Sequence, residues 1–486
     1  MRKSFSDQMR LDVPRVSQVP LNVECRDEMI PVLASLQHIY SQPSLRDGIL
    51  KLVAADVNSG TRNDAGREGM DYWQILVLSG VRLGCNLNYD RLQDLAENHR
   101  NLRAIMGVGP WDESTSFTWQ RIRDNVCLLR PETIDAISHL IVAEGHTLAP
   151  DAAAITRADS TVIETDVHYP TESTLIRDGV RKIISYCVPL AEACGLSGWR
   201  QHDHLYKRIK RCSREIDRIA ACKGKDYRKR LRKAYTKMLT LSRRIVSRAR
   251  DLLCELDLPM ARRSDIFEKD SLQAFIARTE RVMDTARRRV LKEEAVPHED
   301  KLFSVFEPHT QLYKRGKAGQ PLQFGRLVMF YEDGAGFITH HYLLSRHETD
   351  SEVVVGQTKL VQERLGGQIE RAPFDRGFHS PSNQDALSEL VETVCLAKPG
   401  KHQSVEQQAA ASVEFHAGVQ HHAGVESTIG SLQSGNGLKR CRDRSELGFE
   451  RYVSLGVFGH NLHTLGRLLI AGAHPKSHAA HSRRAA

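Results

Sequence analysis

Residues 153–166 read AAITRADSTVIETD, and at this stretch the chain changes character. Ile155, Val162 and Ile163 stand among small and β-branched residues, the composition of a buried strand. A polar turn, HYPTEST, comes next, and helical periodicity then runs to about residue 300. Strand signals return in GRLVMFYEDG (325–334) and FITHHYLLS (337–345), joined by the turn Asp333-Gly334-Ala335-Gly336. Next come a helix over SEVVVGQTKLVQERLGG, the extended IERAPFDRGF (369–378), an amphipathic helix over SPSNQDALSELVE and the apolar run TVCLAKPG (393–400). Residues 404–470 read mostly as helix, with a glycine break at SGNGLKR. The order from 153 is therefore strand, long helical insert, strand, strand, helix, strand, helix, strand, helix. Without the insert this predicts an α+β fold, a mixed sheet flanked by helices.

The insert carries the strongest anomaly of composition. From Lys207 to Arg250 there are eighteen Lys or Arg against three Asp or Glu, a local net of +15 in a chain whose total is +9. Leu205, Ile209, Ile216 and Ile219 form one apolar stripe; Leu231, Tyr235, Met238, Leu239, Ile245 and Leu252 form a second. The pattern predicts a helical hairpin with a basic outer face. A charged face is usually just solvated, but one this one-sided repels itself unless phosphates are near.

Upstream, WQILVLSGVRLG has helical spacing through Trp73, Leu76, Val77, Gly80, Val81 and Leu83, and YDRLQDLAENH is helical again. Asp112, Ser114, Thr115 and Ser116 are expected to cap a basic amphipathic helix that carries Arg121 and Arg123. Short helices of this kind fit either a helix-turn-helix DNA reader or a plain bundle. Trp73, Trp111 and Trp119 read as core rather than as stacking platforms. The ten cysteines form no CxxC pair and read as reduced thiols. MRKSFSDQMRLDVPRV lacks the apolar core of a signal peptide, and no run of eighteen apolar residues occurs, so a cytoplasmic protein without a membrane span is expected.

Three acids stand where such a fold would gather them: Asp159 on the first strand, Asp375 at the end of the strand beginning near Ile369, and Glu426 on the late helix in HAGVESTIGS. Phosphodiester cleavage needs an activated water and a stabilised leaving oxygen. Two Mg²⁺ ions about 3.5–4 Å apart provide both, and a hard cation of this kind wants carboxylate oxygens. On spacing alone each acid equally fits a bland role: a strand-edge residue, a structural Asp-Arg-Gly turn, a solvated helix face. His416, His421 and His422 have poor spacing for zinc, because 416 lies five and six residues from the other two.

At these residues the chain resembles the DDE transposases of bacterial insertion sequences, which have a ribonuclease-H-like catalytic core. RADSTVIETDVHYPTESTLIRDGVRK resembles the first catalytic strand and the segment after it. YKRGKAGQPLQFGRLV resembles the basic loop leading into the second strand, and FDRGFHSPSNQ the second-aspartate motif. VESTIGSLQSGNGLKRCRDRSELGFERYVSLGVFGHNLHTLGR resembles the glutamate helix and the C-terminal helix, while WQILVLSGVRLG and FTWQRIRDNV resemble the helical domain of the same proteins. The likeness runs from about residue 68 to 470.

The resemblance implies catalytic, metal-holding roles for Asp159, Asp375 and Glu426, with Mg²⁺ as cofactor and Mn²⁺ as its substitute. It implies double-stranded DNA as partner, with phosphate contacts at Lys314, Arg315, Lys317 and Arg376 and recognition of element ends by residues of the helical domain such as Arg121 and Arg123. It implies a helical DNA-binding domain (65–150), a core (151–174 and 311–470) and a basic helical insertion (175–310); composition adds an N-terminal extension (1–64) and a disordered tail (471–486). Synapsis of two DNA ends implies a homodimer or larger assembly. One departure concerns the third acid. Some members place Tyr and Arg just before the glutamate and Lys about seven residues after it; here Val419, His422 and Gln433 stand there. Lys439 and Arg440 are the nearby cations for that phosphate role, and Glu414 and Glu446 compete with Glu426. A DNA-binding protein without catalysis and a metal-dependent nuclease remain the alternative functions.

Overall fold

The computed structural model describes residues 2–5, 13–59, 69–110, 112, 114–222, 224–255, 263–314, 322–396, 418, 422 and 424–473. Their chain is α+β: a mixed sheet flanked by helices. It divides into two compact units, Met1–Asp166 with Arg326–Ala486, and Val167–Gly325.

Among its described residues the first unit opens, after a 3-10 turn at Val16–Gln18, with seven α-helices: α1 (Met29–Ser41), α2 (Pro43–Val57), α3 (Tyr72–Gly84), α4 (Tyr89–Asn98), α5 (Arg100–Ile105), α6 (Trp119–Val126) and α7 (Pro131–Leu148). The helix α3 is apolar almost all round and correspondingly buried almost all round. Its outer cover comes from far along the chain. The last helix of the chain, Glu446–Ala473, packs against α1, α3 and α7 and shares one hydrophobic core with them. Glycine permits the crossing with α3, since a Cβ on Gly459 would collide with the backbone of Leu83 and Gly84. The expected helical domain is thus one layer of a core that also takes in Val328, Phe330, Phe337 and Ile338 from the sheet.

The sheet is built on β1 (Thr156–Glu164). The second unit interrupts the chain after it with α8 (Glu172–Ala193), α9 (His202–Ala221), α10 (Tyr227–Glu255) and α11 (Arg263–Ala286), then β2 (Gln311–Lys314). These helices have their own core, including Ile183, Ile209, Ile216, Met238, Ile245 and Leu272. β3 (Leu322–Asp333) pairs antiparallel with β2 at its start and with β4 (Ile338–Leu343) further on. The short β2 is a strand where the sequence read as a loop. Then come α12 (Asp350–Arg364), β5 (Arg371–Phe374), α13 (Pro381–Leu390), β6 (Thr393–Leu396), α14 (Val425–Ser434) and α15 (Glu446–Ala473), the long helix already described. The strand order is β2-β3-β1-β5-β6, with β4 paired to β3. β1, β5 and β6 run parallel, and the β2-β3-β4 part is antiparallel. At the β3–β4 turn the buried Asp333 accepts from the amides of Ala335 and Phe337, each at 2.9 Å, and from His146 at 2.7 Å.

Candidate active site

The parallel register of β1 on β5 decides where the acids go. Ile155 pairs with Arg371 and Ala158 with Phe374, both offsets of 216, and Asp159 to Asp375 is the same offset. Asp375 keeps an extended backbone (φ −68°, ψ 156°) beyond the end of β5. The two aspartates therefore occupy neighbouring positions on adjacent strands, with Cα atoms about 5 Å apart. Asp375 sits at the carboxyl end of its strand, the edge where open α/β sheets bind ligands. It is exposed and caps the turn Arg376–Phe378, accepting from the Arg376 amide at 2.7 Å. Asp159 is half-buried and accepts from the Ser160 amide at 2.7 Å.

Successive side chains of a strand alternate between faces. Arg157, Asp159 and Thr161 consequently share one face of β1, and α14 lies against that face. Thr428 on α14 is 3.5 Å from Arg157, and Gln433 donates to the Thr161 hydroxyl at 3.0 Å. Asp159 lies between those two contacts. Just before α14, His422 meets the Ala158 carbonyl at 3.2 Å. Glu426 is exposed on α14, seven residues and two turns before Gln433, hence on the same stripe of the helix. Among the described residues, no three or more His, Cys, Asp or Glu side chains stand close enough to hold a metal ion as they are. The register brings the two aspartates together; Glu426 shares the helix above them without closing a ligand cluster.

A polar network supports this face. Arg157 donates to both carboxylate oxygens of Glu332 on β3, at 2.8 and 2.9 Å, and Thr428 donates to the same carboxylate at 2.8 Å. Both charges are nearly buried, so the pair fixes β1, β3 and α14 relative to one another. The opposite face of β1 carries Ser160, which donates to Asp350 at 2.8 Å. Sequence reading missed this network. The signal was present in the alternation of RADST, which sets Arg157 and Thr161 beside Asp159.

The expected DNA contacts fare differently. Arg376 and Lys439 are exposed, and Lys314 is exposed at the end of β2. Arg440 is engaged: its guanidinium lies 2.9 Å from Glu164, across a parallel bridge between the two residues. Glu446, the competitor for the third acid, holds Arg326 at 3.0 Å. Arg121 donates to the Ser116 carbonyl at 2.9 Å, and Arg123 pairs with Asp124 at 2.8 Å. The α6 cap is Thr118, not the expected Asp112 group; Asp112 instead closes its own turn onto the amides of Ser114 and Thr115. Trp73 is core, but Trp119 is exposed with the Arg123 guanidinium 5.2 Å over its ring, because it opens α6 where the helix leaves the bundle. Arg315, Lys317, Trp111, Glu414, His416, Val419 and His421 lie outside the described residues. Among the described residues no helix is long and apolar enough to cross a membrane, and none of the ten cysteines is in a disulfide.

Compared with protein-family models, curated proteins and solved structures, the chain matches none.

Proposed function

We propose that the chain is a metal-dependent DNA transposase built on a ribonuclease-H-like core, with Asp159 and Asp375 as its central acids and Glu426 as the third. The observation that carries this reading is the shared register of Asp159 and Asp375 on adjacent parallel strands. Two carboxylates so placed offer hard oxygen donors to one position, a set suited to Mg²⁺ or Mn²⁺ and ill suited to softer metals. Such an ion, when bound, supplies charge stabilisation and a water acidic enough to attack phosphate.

The protein's own part is placement. The Arg157–Glu332–Thr428 network holds the strand and helix that carry Asp159 and Glu426, and buried pairing keeps those elements in one arrangement. Glu426, exposed on α14, is the acid that would complete the set. Arg376, adjoining Asp375, grips the scissile phosphate, and Lys439 meets a neighbouring one; Lys314, on the second unit, is a phosphate contact of its own. The reaction would be cleavage at element ends, then attack of the freed 3′-hydroxyl on target DNA by a homodimer or larger assembly. The short helices α4–α6 would recognise the element's ends.

The test is cleavage and strand transfer on labelled DNA carrying the element's ends, with Mg²⁺ and with EDTA. Wild type is expected to cut and join only with the metal. Asp159→Asn, Asp375→Asn and Glu426→Gln are expected to bind DNA and do neither. DNA binding without cleavage under any divalent ion would replace this reading with a DNA-binding protein. Cleavage without joined products would replace it with a nuclease. Activity surviving in Glu426→Gln alone would move the third acid elsewhere.

A further inference from the structure

In the second unit the apolar stripes of α9 and α10 are buried in its core, and the cations lie on the opposite, solvent-facing sides. Some of these cations are neutralised. Arg232 pairs with Glu293 at 2.6 Å, Lys237 with Glu215 at 3.7 Å and Arg250 with Glu280 at 2.6 Å. Lys207, Arg208, Lys210, Arg211, Arg214 and Arg218 on α9 are exposed and form no ion pair with a described carboxylate. The same holds for Lys229, Arg230, Lys233, Arg243 and Arg244 on α10.

The spacing on α9 is regular: Lys207, Arg211, Arg214 and Arg218 succeed one another by four, three and four residues, about 5–6 Å per cation. On α10 the unpaired cations form two groups, Lys229, Arg230 and Lys233, then Arg243 and Arg244, with the paired Lys237 between them. From Lys229 to Arg244 the row is about 22 Å long, and from Lys207 to Arg218 about 16 Å. A duplex strand places a phosphate every 3.4 Å or so along its axis, and the longer row therefore spans about six.

We infer that the outer face of α9 and α10 is a binding surface for the backbone of double-stranded DNA, reading charge and not sequence. This deepens the proposed function and rests on it for the identity of the DNA. The chemistry narrows the partner. Single-strand binding relies on exposed aromatic platforms, and the large apolar side chains exposed on the described surface are Trp119, Leu128, Leu148, Tyr169, Leu360 and Leu447, none of them on α9 or α10. A helix lying on an anionic membrane presents an apolar face to it, whereas here that face is consumed by the unit's own core. Protein interfaces centre on apolar or aromatic anchors, whereas Tyr206, Tyr227 and Leu231 on α9 and α10 are only half-exposed. Neither α9 nor α10 carries Asn or Gln, the adenine-reading side chains, and most protein–DNA contacts of such cations go to phosphates.

The experiment measures binding of the full chain, in EDTA, to a duplex of about 60 base pairs and arbitrary sequence, long enough to cover both cation rows, to the matching single strand and to phosphatidylserine vesicles, across a salt series. EDTA removes catalysis, so failure of the transposase reading shows only in the cleavage assay. Wild type is expected to prefer duplex and to lose affinity steeply with salt. Replacing Arg211, Arg214, Arg218, Lys229, Lys233 and Arg244 together by alanine is expected to flatten the slope of log K against log salt by about 3–5. A second variant, with lysine at the four arginine positions, keeps the charge and is expected to keep the slope. Circular dichroism confirms that both variants fold. An unchanged slope in the alanine variant, tighter binding to the single strand, or equal binding to vesicles would each overturn the inference.

Discussion

Arginine plays opposite parts in the two units. In the first, several guanidinium groups are answered by carboxylates, and those of Arg82 and Arg157 are buried or nearly so. Arg82 is almost wholly buried, donates to Asp443 at 2.9 Å and lies 4.0 Å from the ring of Tyr89. Arg157 grips Glu332, and Arg130 reaches the buried Asp56 at 2.6 Å. In the second unit, Arg211, Arg214 and Arg218 stand in water, bound to no carboxylate among the described residues. The same residue type thus ties distant elements together in one region and leaves charge unspent in the other. Burial and pairing, not identity, decide whether an arginine serves the fold or a ligand.

Mutation can undo this contrast. Arg82→Met leaves Asp443 unanswered in a nearly buried place, and a loss of about 3–5 kcal/mol is expected in urea denaturation. Replacing both partners, as Arg82→Met with Asp443→Leu, is expected to recover much of it, since apolar substitution of a whole buried pair is often neutral.

A buried histidine group tests the first unit by pH. Arg364 donates to His340 Nδ1 at 2.8 Å and to His139 Nε2 at 2.9 Å, so both nitrogens act as acceptors and both rings are neutral. Burial first, and then the adjoining His341 and Arg364 charges, push the His340 pKa down to about 4. The unfolded chain binds this proton near pH 6.5. Stability from His340 is therefore full above about pH 6.5 and is lost as pH falls toward 4. The loss is expected to reach about 3 kcal/mol. Thermal melts across that window check it, and His340→Gln should flatten the profile.

Packing gives a smaller effect. Gly459→Ala forces a methyl group into the Gly84 backbone, with an expected cost of about 1–3 kcal/mol by chemical denaturation. Arg211→Ala on the second unit should change stability by less than about 0.5 kcal/mol while lowering DNA affinity. A large stability loss there would erase the contrast between the two regions.

Much of the sheet was legible because strands announce themselves locally. Ile155, Val162 and Ile163 marked β1, and the Asp333–Gly336 turn marked the β3–β4 hairpin. The prominence of Asp159 and Asp375 came from motif. Their neighbouring positions came only from pairing across 216 residues, which no local pattern encodes. Arg157 could be placed on the face of Asp159 by alternation, but its partner Glu332 lies on another strand. β2 escaped because four residues ending in Lys314 are too few for a period. Trp119 was misjudged because an aromatic residue in a helix says nothing about whether the helix end is covered. The two stripes of α9 and α10 were largely readable, since a local period of about 3.6 separates the buried from the charged side, though Cys212, Leu241 and Val246 are buried with them and Leu205, Ile219 and Leu231 only partly.

The helix α15 has a consequence in time. It supplies the wall against which α1, α3 and α7 close, yet it is made more than three hundred residues after α3. As the chain leaves the ribosome, the α3 face at Gly80 and Gly84, which Phe458, Gly459 and Leu462 close, must wait without its cover while the second unit, whose contacts are local, can already assemble. A segment made well before its cover is thus among the last to become native, and the α3 surface is where a nascent or truncated chain would meet chaperones.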